Sequence, residues 1–261
     1  MKLTKLISVA AMALTVFGFA SCSKAQKSNK FILGLDASFP PMGYTEADGS
    51  IVGYDIDLAK EAAKRLGLEF EAKPIDWDAK EMELSTGNID CIWNGFTMTE
   101  ERVQAMSFSK AYLNNDQVLV VRKDSGINSL ADAAGKIVGI QAGSSAEEAV
   151  NDNKDFAASL KELKTYADNL VALTDLEVGG IDAVVMDSVV ANYSIKTGNK
   201  PLVVVADPLA KEAYGIGFRK DEAGAKLRDD IQKTLEEMAA DGTVAKISEN
   251  WFGTDISVIG K

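Results

Sequence analysis

Residues 87–102 read GNIDCIWNGFTMTEER. An apolar run opens inside this stretch and stops at Asn94-Gly95. Two hydroxyls, two acids and an arginine follow at once. A short apolar run bounded by turn formers reads as a buried strand, so the polar residues behind it leave the carboxyl end of a strand. Working outward, the same alternation recurs on both sides. Toward the N-terminus, FILGL (31–35) and IVGY (51–54) read as strands. YDIDLAKEAAKRLG (54–67) reads as a helix: Ile56, Ala59, Ala62, Ala63 and Leu66 recur at spacings of three and four, and Gly67 suits the C-cap. LEFEAKPI (68–75) is a strand and KEMELSTG (80–87) a helix. Toward the C-terminus, a second copy of the pattern begins after QVLVVRKD (117–124). SLADAAG is a short helix, KIVGI a strand, SSAEEAVNDN a helix and ELKTYA a strand; DNLVALTDLEVGG is a helix and IDAVVMD a strand. PLVVVAD and YGIGFRK follow, then a long helix over 223–242 and the segment 243–253. Strands alternating with helices predict an α/β fold with helices on both sheet faces, here as two lobes. Pattern alone does not say to which lobe the last segment returns.

The chain has 261 residues, 46% of them apolar and 26% charged, an ordinary globular balance. Its formal net charge is −11, which argues against a nucleic-acid partner, because phosphates call for a basic surface. It contains no histidine, the commonest acid–base group near neutral pH and the commonest metal ligand. No CxxC, zinc spacing or phosphate-cradling loop is present, and neither a metal nor a cofactor is expected.

The first residues read as a leader rather than as fold. MKLTK is a basic head, and LISVAAMALTVFGFA is an apolar run of 15 residues, short for a membrane span. It ends in Phe19-Ala20-Ser21-Cys22, which resembles a bacterial lipobox with Phe19 where Leu is usual. The expectation is a signal peptide over 1–21, lipidation of Cys22, and a polar tether over 22–30. The protein would then be exported and held by its anchor at the periplasmic or outer cell surface. Cys91, in an apolar run, reads as a small core residue with no disulfide partner.

In open α/β sheets, ligands bind beyond the carboxyl ends of the strands. Arg102 follows the strand at 91–93. Gly143, Ser144 and Ser145 follow KIVGI and open a helix, where backbone N–H groups favour an anion. Asp187 ends IDAVVMD. Arg102 and the amides suit a carboxylate, bidentate from the guanidinium, and Asp187 suits an ammonium; a molecule with both is a zwitterionic amino acid. Each residue also has a plainer reading. Arg102 would otherwise be a surface charge, Asp187 a helix cap, Phe39 and Tyr54 core aromatics, and Asp36 a turn residue; Trp77 and Trp93 read as core or pocket rim.

Five segments, in order, carry a resemblance: LDASFPPMGYTEADGSIVGYDIDLAKEAAKRLG, DWDAKEMELSTGNIDCIWNGFTMTEERVQAMSFSKAYL, SLADAAGKIVGIQAGSSAEEAV, GGIDAVVMDSVVANY and DGTVAKISENWFG. The chain resembles the bacterial extracellular solute-binding proteins of family 3, the polar amino-acid receptors of ABC importers, from about Phe31 to Gly253. The resemblance implies a type II periplasmic-binding fold: lobe one at 31–113 and 212–261, lobe two at 114–211, and two hinge crossings near 112–116 and 210–214. It implies that Arg102 pairs with the ligand α-carboxylate, with Thr97, Ser144 and Ser145 as added donors. Asp187 would take the α-ammonium, helped by carbonyls at Gly95 and Thr97. Phe39 and Tyr54 would flank the ligand, and Asp36, Asn94 and Gln141 would meet its side chain. Asp36 and Asn94 lean toward a polar or cationic L-amino acid. The implied partners are the free amino acid, a membrane permease and its ATPase, with the chain itself a monomer. Two alternatives stay open: an enzyme on this scaffold resembling cyclohexadienyl dehydratase, with Asp36 or Asp187 as its acid, and a surface adhesin or receptor.

Overall fold

The computed structural model describes residues 29–261; the expected leader, Cys22 and most of the tether lie outside them. In the first half, β1 (Lys30–Leu35) leads into a small antiparallel sheet of β2 (Ser38–Phe39), β3 (Gly43–Thr45) and β4 (Ile51–Val52). Then come α1 (Tyr54–Arg65), β5 (Glu69–Pro74), α2 (Lys80–Ser85), β6 (Cys91–Thr97), α3 (Glu100–Ala105) and β7 (Ser107–Phe108). The long β8 (Leu113–Arg122) crosses into the second half. There β9 (Ile137–Gln141), α4 (Ser145–Asp152), α5 (Lys154–Ser159) and β10 (Glu162–Tyr166) are followed by α6 (Asn169–Glu177), β11 (Ala183–Asp187), α7 (Ser188–Thr197) and β12 (Leu202–Val204). Strand β13 (Ala210–Phe218) leads back to α8 (Glu222–Ala240) and α9 (Thr243–Phe252).

Local chemistry explains these elements. The α1 helix buries Ile56, Leu58, Ala59, Ala62 and Ala63 on one side. Asp55 and Asp57 in its first turn and Lys64 and Arg65 in its last oppose the helix dipole. It stops in a Schellman arrangement: Gly67 N–H donates to Lys64 O and Leu68 N–H to Ala63 O, with Gly67 at φ 68°. The segment 129–135, expected as a helix, forms a 3-10 turn at Leu130–Ala133 under a Ser129/Asp132 capping box. Lys30, assigned to the tether, instead opens β1, because it pairs in the ladder with Glu69.

One continuous sheet runs β10-β9-β11-β8-β13-β6-β1-β5. Its two ends are parallel: β1 with β5 and β6, and β9 with β10 and β11. The middle is antiparallel. β13 pairs with β8 from Ala210 to Tyr214, then with β6 from Tyr214 to Phe218. These two crossing strands join two α/β lobes into the type II arrangement. The returning helices pack on the first: Trp251 Nε1 donates to Asp57 at 2.9 Å, Phe252 meets Tyr54 at 5.1 Å between ring centroids, and Arg65 pairs with Asp241 at 2.7 Å. Strand β6 lies between β1 and β13 and is buried at all seven positions. Each fully buried Ile or Phe there contributes about 1.5–3 kcal/mol of transfer free energy. Asn94, Gly95 and Thr97 interrupt that apolar strand, and they lie where the lobes meet.

Candidate functional site

Gly95 shows how β6 becomes a site. It sits at φ 55°, and a Cβ there would lie 2.9 Å from the Phe39 ring and 3.1 Å from Tyr214. Its N–H donates to Asp55 Oδ2 at 2.7 Å, and Tyr112 Oη donates to the same oxygen at 2.9 Å. Burial pushes the Asp55 carboxyl up to about 7, against the bonds from Gly95 and Tyr112 that favour the anion. So a buried acid on α1 fixes the floor on which Phe39 rests.

Around that floor the strand ends converge. Asp36, just past β1, is buried; its N–H donates to Asn94 Oδ1, and its Oδ1 accepts from Ser38 N–H. Its Oδ2 accepts from Gln141 Nε2, at the end of β9 in the other lobe, at 2.7 Å. Burial raises the Asp36 carboxyl above the ordinary range. Asn94 Nδ2 is buried with no hydrogen-bond partner. Arg102 stands in the first turn of α3, whose cap Thr99 accepts from Arg102 N–H. Its guanidinium lies 4.5 Å over the Phe96 ring and donates to Thr97 O at 3.2 Å and to Gly143 O of the second lobe at 3.1 Å. Lys80 Nζ reaches the same Gly143 carbonyl at 2.9 Å. Burial, then the Arg102 charge, pulls the Lys80 amine below its usual value. Ser144 Oγ donates to Gln141 O. Ser145 opens α4, with its Oγ 3.1 Å from Thr97 Oγ1. Asp187, at the end of β11, accepts on Oδ1 from Asn115 Nδ2 and Tyr214 Oη, both at 2.7 Å. Burial first, and the nearby Glu212 second, push its carboxyl up.

Nine of the eleven expected residues line one cavity: Asp36, Phe39, Asn94, Gly95, Arg102, Gln141, Ser144, Ser145 and Asp187. Its volume is about 10 Å³, room for one water rather than for an amino acid, so admitting one requires the lobes to part. Thr97 lies just behind, its carbonyl on Arg102 and its hydroxyl on Glu212. The expectation for Tyr54 is corrected. It is fully buried against Tyr112 and Phe252, because the first turn of α1 faces the core. Trp77, on a 3-10 turn before α2, is the second aromatic of the cavity. The Thr97 carbonyl, expected to help take the ammonium, accepts from the Arg102 guanidinium. Four residues of the crossing strands went unremarked: Asn115, Gln117, Glu212 and Tyr214. Their signal was polar side chains at alternate positions of 113–117 and 210–214, which the ladder brings to one face. Among the described residues, no group of His, Cys, Asp and Glu could hold a metal ion.

A guanidinium and two carboxylates thus surround one small cavity between the two lobes. The sequence matches the bacterial extracellular solute-binding proteins, family 3, over residues 31–254. It is 34% identical to the arginine-binding extracellular protein ArtP of Bacillus subtilis over 97% of this chain and 98% of that protein. It is 31% identical to the L-cystine-binding protein TcyJ of Escherichia coli K12 over 90% and 87% respectively. A solved ABC uptake transporter substrate-binding protein from Streptococcus pneumoniae with bound histidine superposes with a TM-score of 0.85 at 37% identity, covering 90% of this chain and 97% of that one. The chain belongs to the bacterial extracellular solute-binding proteins of family 3.

Proposed function

We propose that this protein is the receptor of an ABC importer, taking a polar or cationic L-amino acid between its lobes and carrying it to a membrane permease and its ATPase. The observation that carries the reading is the placement of Arg102 and Asp187 on one interlobe cavity. Arg102 then grips the α-carboxylate, with Thr97, Ser144 and Ser145 as further donors, and Asp187 grips the α-ammonium. Asp36, with Asn94 and Gln141 beside it, meets the side chain; a buried carboxylate there favours a cationic or hydrogen-bonding one. Phe39 and Trp77 flank it. The ligand shifts the lobes toward closure by no more than its differential affinity for the closed form. Closure excludes water and strengthens both ionic contacts. Asp36 and Asp187 act in binding, and the chain catalyses no reaction.

The lobes divide at 31–113 with 212–261, and 114–211; the switch of β13 from β8 to β6 at Tyr214 supports that division. The chain is exported as a monomer and tethered through lipidated Cys22 on the periplasmic or outer surface. A thermal-shift screen of the twenty amino acids plus cystine, ornithine and citrulline tests the reading, on refolded protein freed of carried-over ligand. A ligand that binds only the folded state raises its melting temperature by mass action. One chemical class is expected to stabilise the wild type and not Arg102→Ala. No shift with any of them would contradict the reading.

A further inference from the structure

Glu212 is a carboxylate at the lobe junction that has no part in the amino-acid grip. It stands on β13 opposite Asn115 of β8. Its Oε2 accepts from Thr97 Oγ1 at 2.9 Å, Gln117 Nε2 at 3.0 Å, Asn115 Nδ2 at 3.1 Å and Ser145 Oγ at 3.3 Å. The donors come from three parts of the molecule: Thr97 ends β6 of the first lobe, Ser145 opens α4 of the second, and the two amides sit on the crossing strand. The pleat produces this gathering. Asn115 and Gln117 share one face of β8, and the ladder sets Glu212 against the first and Asp187 against the second.

A hydroxyl has one proton to donate. Thr97 gives its proton to Glu212, and Ser145 Oγ lies within reach of both Glu212 Oε2 and Thr97 Oγ1. These are two of the three hydroxyls, with Ser144, that the amino-acid reading assigns to the ligand carboxylate. We infer that Glu212 is a positioning residue, an internal carboxylate that ties the lobes together through Thr97 and Ser145 and that an incoming ligand carboxylate must displace. Cross-lobe bonds made from the protein's own groups favour closure with no ligand present. A cavity of about 10 Å³ cannot admit an amino acid, so the tied form is not competent to bind. Apparent affinity falls in proportion to the competent fraction, and loosening the tie raises it. The identity of the displacing group rests on the proposed function; the tie itself does not.

The test is the distance between spin labels at Lys64→Cys on α1 and Val178→Cys after α6, both exposed, in the exported chain carrying Cys22→Ser and freed of amino acid by unfolding and refolding. Cys91 is buried and stays unlabelled. Glu212→Gln keeps the shape and removes the charge. It is expected to move weight from the short to the long distance and to tighten amino-acid binding by about three- to ten-fold. Glu212→Asp, which keeps the charge and shortens the reach, is expected to open the lobes as well. Circular dichroism confirms that each variant is folded. Distance distributions unchanged in both variants would overturn the inference, as would weaker binding of the amino acid by Glu212→Gln. If the wild type bound no amino acid, the proposed function would fail while the distances still decided the tie.

Discussion

The two lobes bring their groups to the cavity in different ways. In the first, the site is held from below by its own core: Asp55 and Tyr112 pin Gly95, and Phe39 packs on Gly95. In the second, site groups find partners across the gap. Gln141 donates to Asp36, the Gly143 carbonyl accepts from Lys80 and Arg102, and Ser145 meets Thr97. When the lobes part, the Gly95–Phe39 floor keeps its own-lobe support, whereas Gln141, Gly143 and Ser145 give up their bonds to Asp36, Lys80, Arg102 and Thr97. One lobe is a preformed seat and the other a closing jaw.

The comparison breaks most readily at the seat. Asp55→Ala leaves Gly95 N–H and Tyr112 Oη without their buried acceptor. The expected loss is about 2–4 kcal/mol of folding stability, measured by urea denaturation. Substitution of Gln141 by Ala should cost less in the same measurement, because Asp36, its one side-chain partner on the first lobe, becomes solvated on opening, leaving only the bonds with Ala167 O and Asn169 Nδ2 to be lost. A smaller effect is expected at Gly95→Ala. The added methyl meets the Phe39 ring at a positive φ, which costs about 1–3 kcal/mol and weakens binding in the same variant.

The pH dependence sharpens the contrast. The Asp55 carboxyl is raised to about 7 in the fold, chiefly by burial, against about 3.9 in an unfolded chain. Between those values the folded state holds a proton that the unfolded state has released. Stability therefore falls as pH rises through that window, and a melting series should show the decline flattened in Asp55→Asn. The smallest effect is expected at Tyr54→Phe. The ring lies in the core, so ligand affinity should change by less than about two-fold; a large loss would return Tyr54 to the binding surface.

Sequence reading reached those parts of the site that hang on local pattern. Arg102, Ser145 and Asp187 follow recognisable apolar runs, so their places at strand ends were legible. Tyr54 was set beside the ligand by the resemblance alone, and only the packing of α9 shows that the first turn of α1 faces the core. Trp77 was ambiguous between core and rim until its 3-10 turn was placed. Glu212 was invisible for a different reason. In AKEAYGIGF it reads as a solvated charge, and what draws it inward is its pairing with Asn115, 97 residues away. Long-range register of this kind leaves little trace in a local window. The same holds for the return of α8 and α9 to the first lobe.

The central claim is that Arg102 and Asp187 hold the head group of an amino acid. The direct measurement is calorimetric titration of wild type and Arg102→Ala with the amino acid found by the screen and with its α-amide, which lacks the carboxylate charge. The account predicts that the wild type loses about 2–5 kcal/mol with the amide. Arg102→Ala should lose a similar amount with the acid, and little more with the amide, since both changes remove one contact. Equal losses for acid and amide on removing Arg102 would contradict it, placing the guanidinium away from the carboxylate.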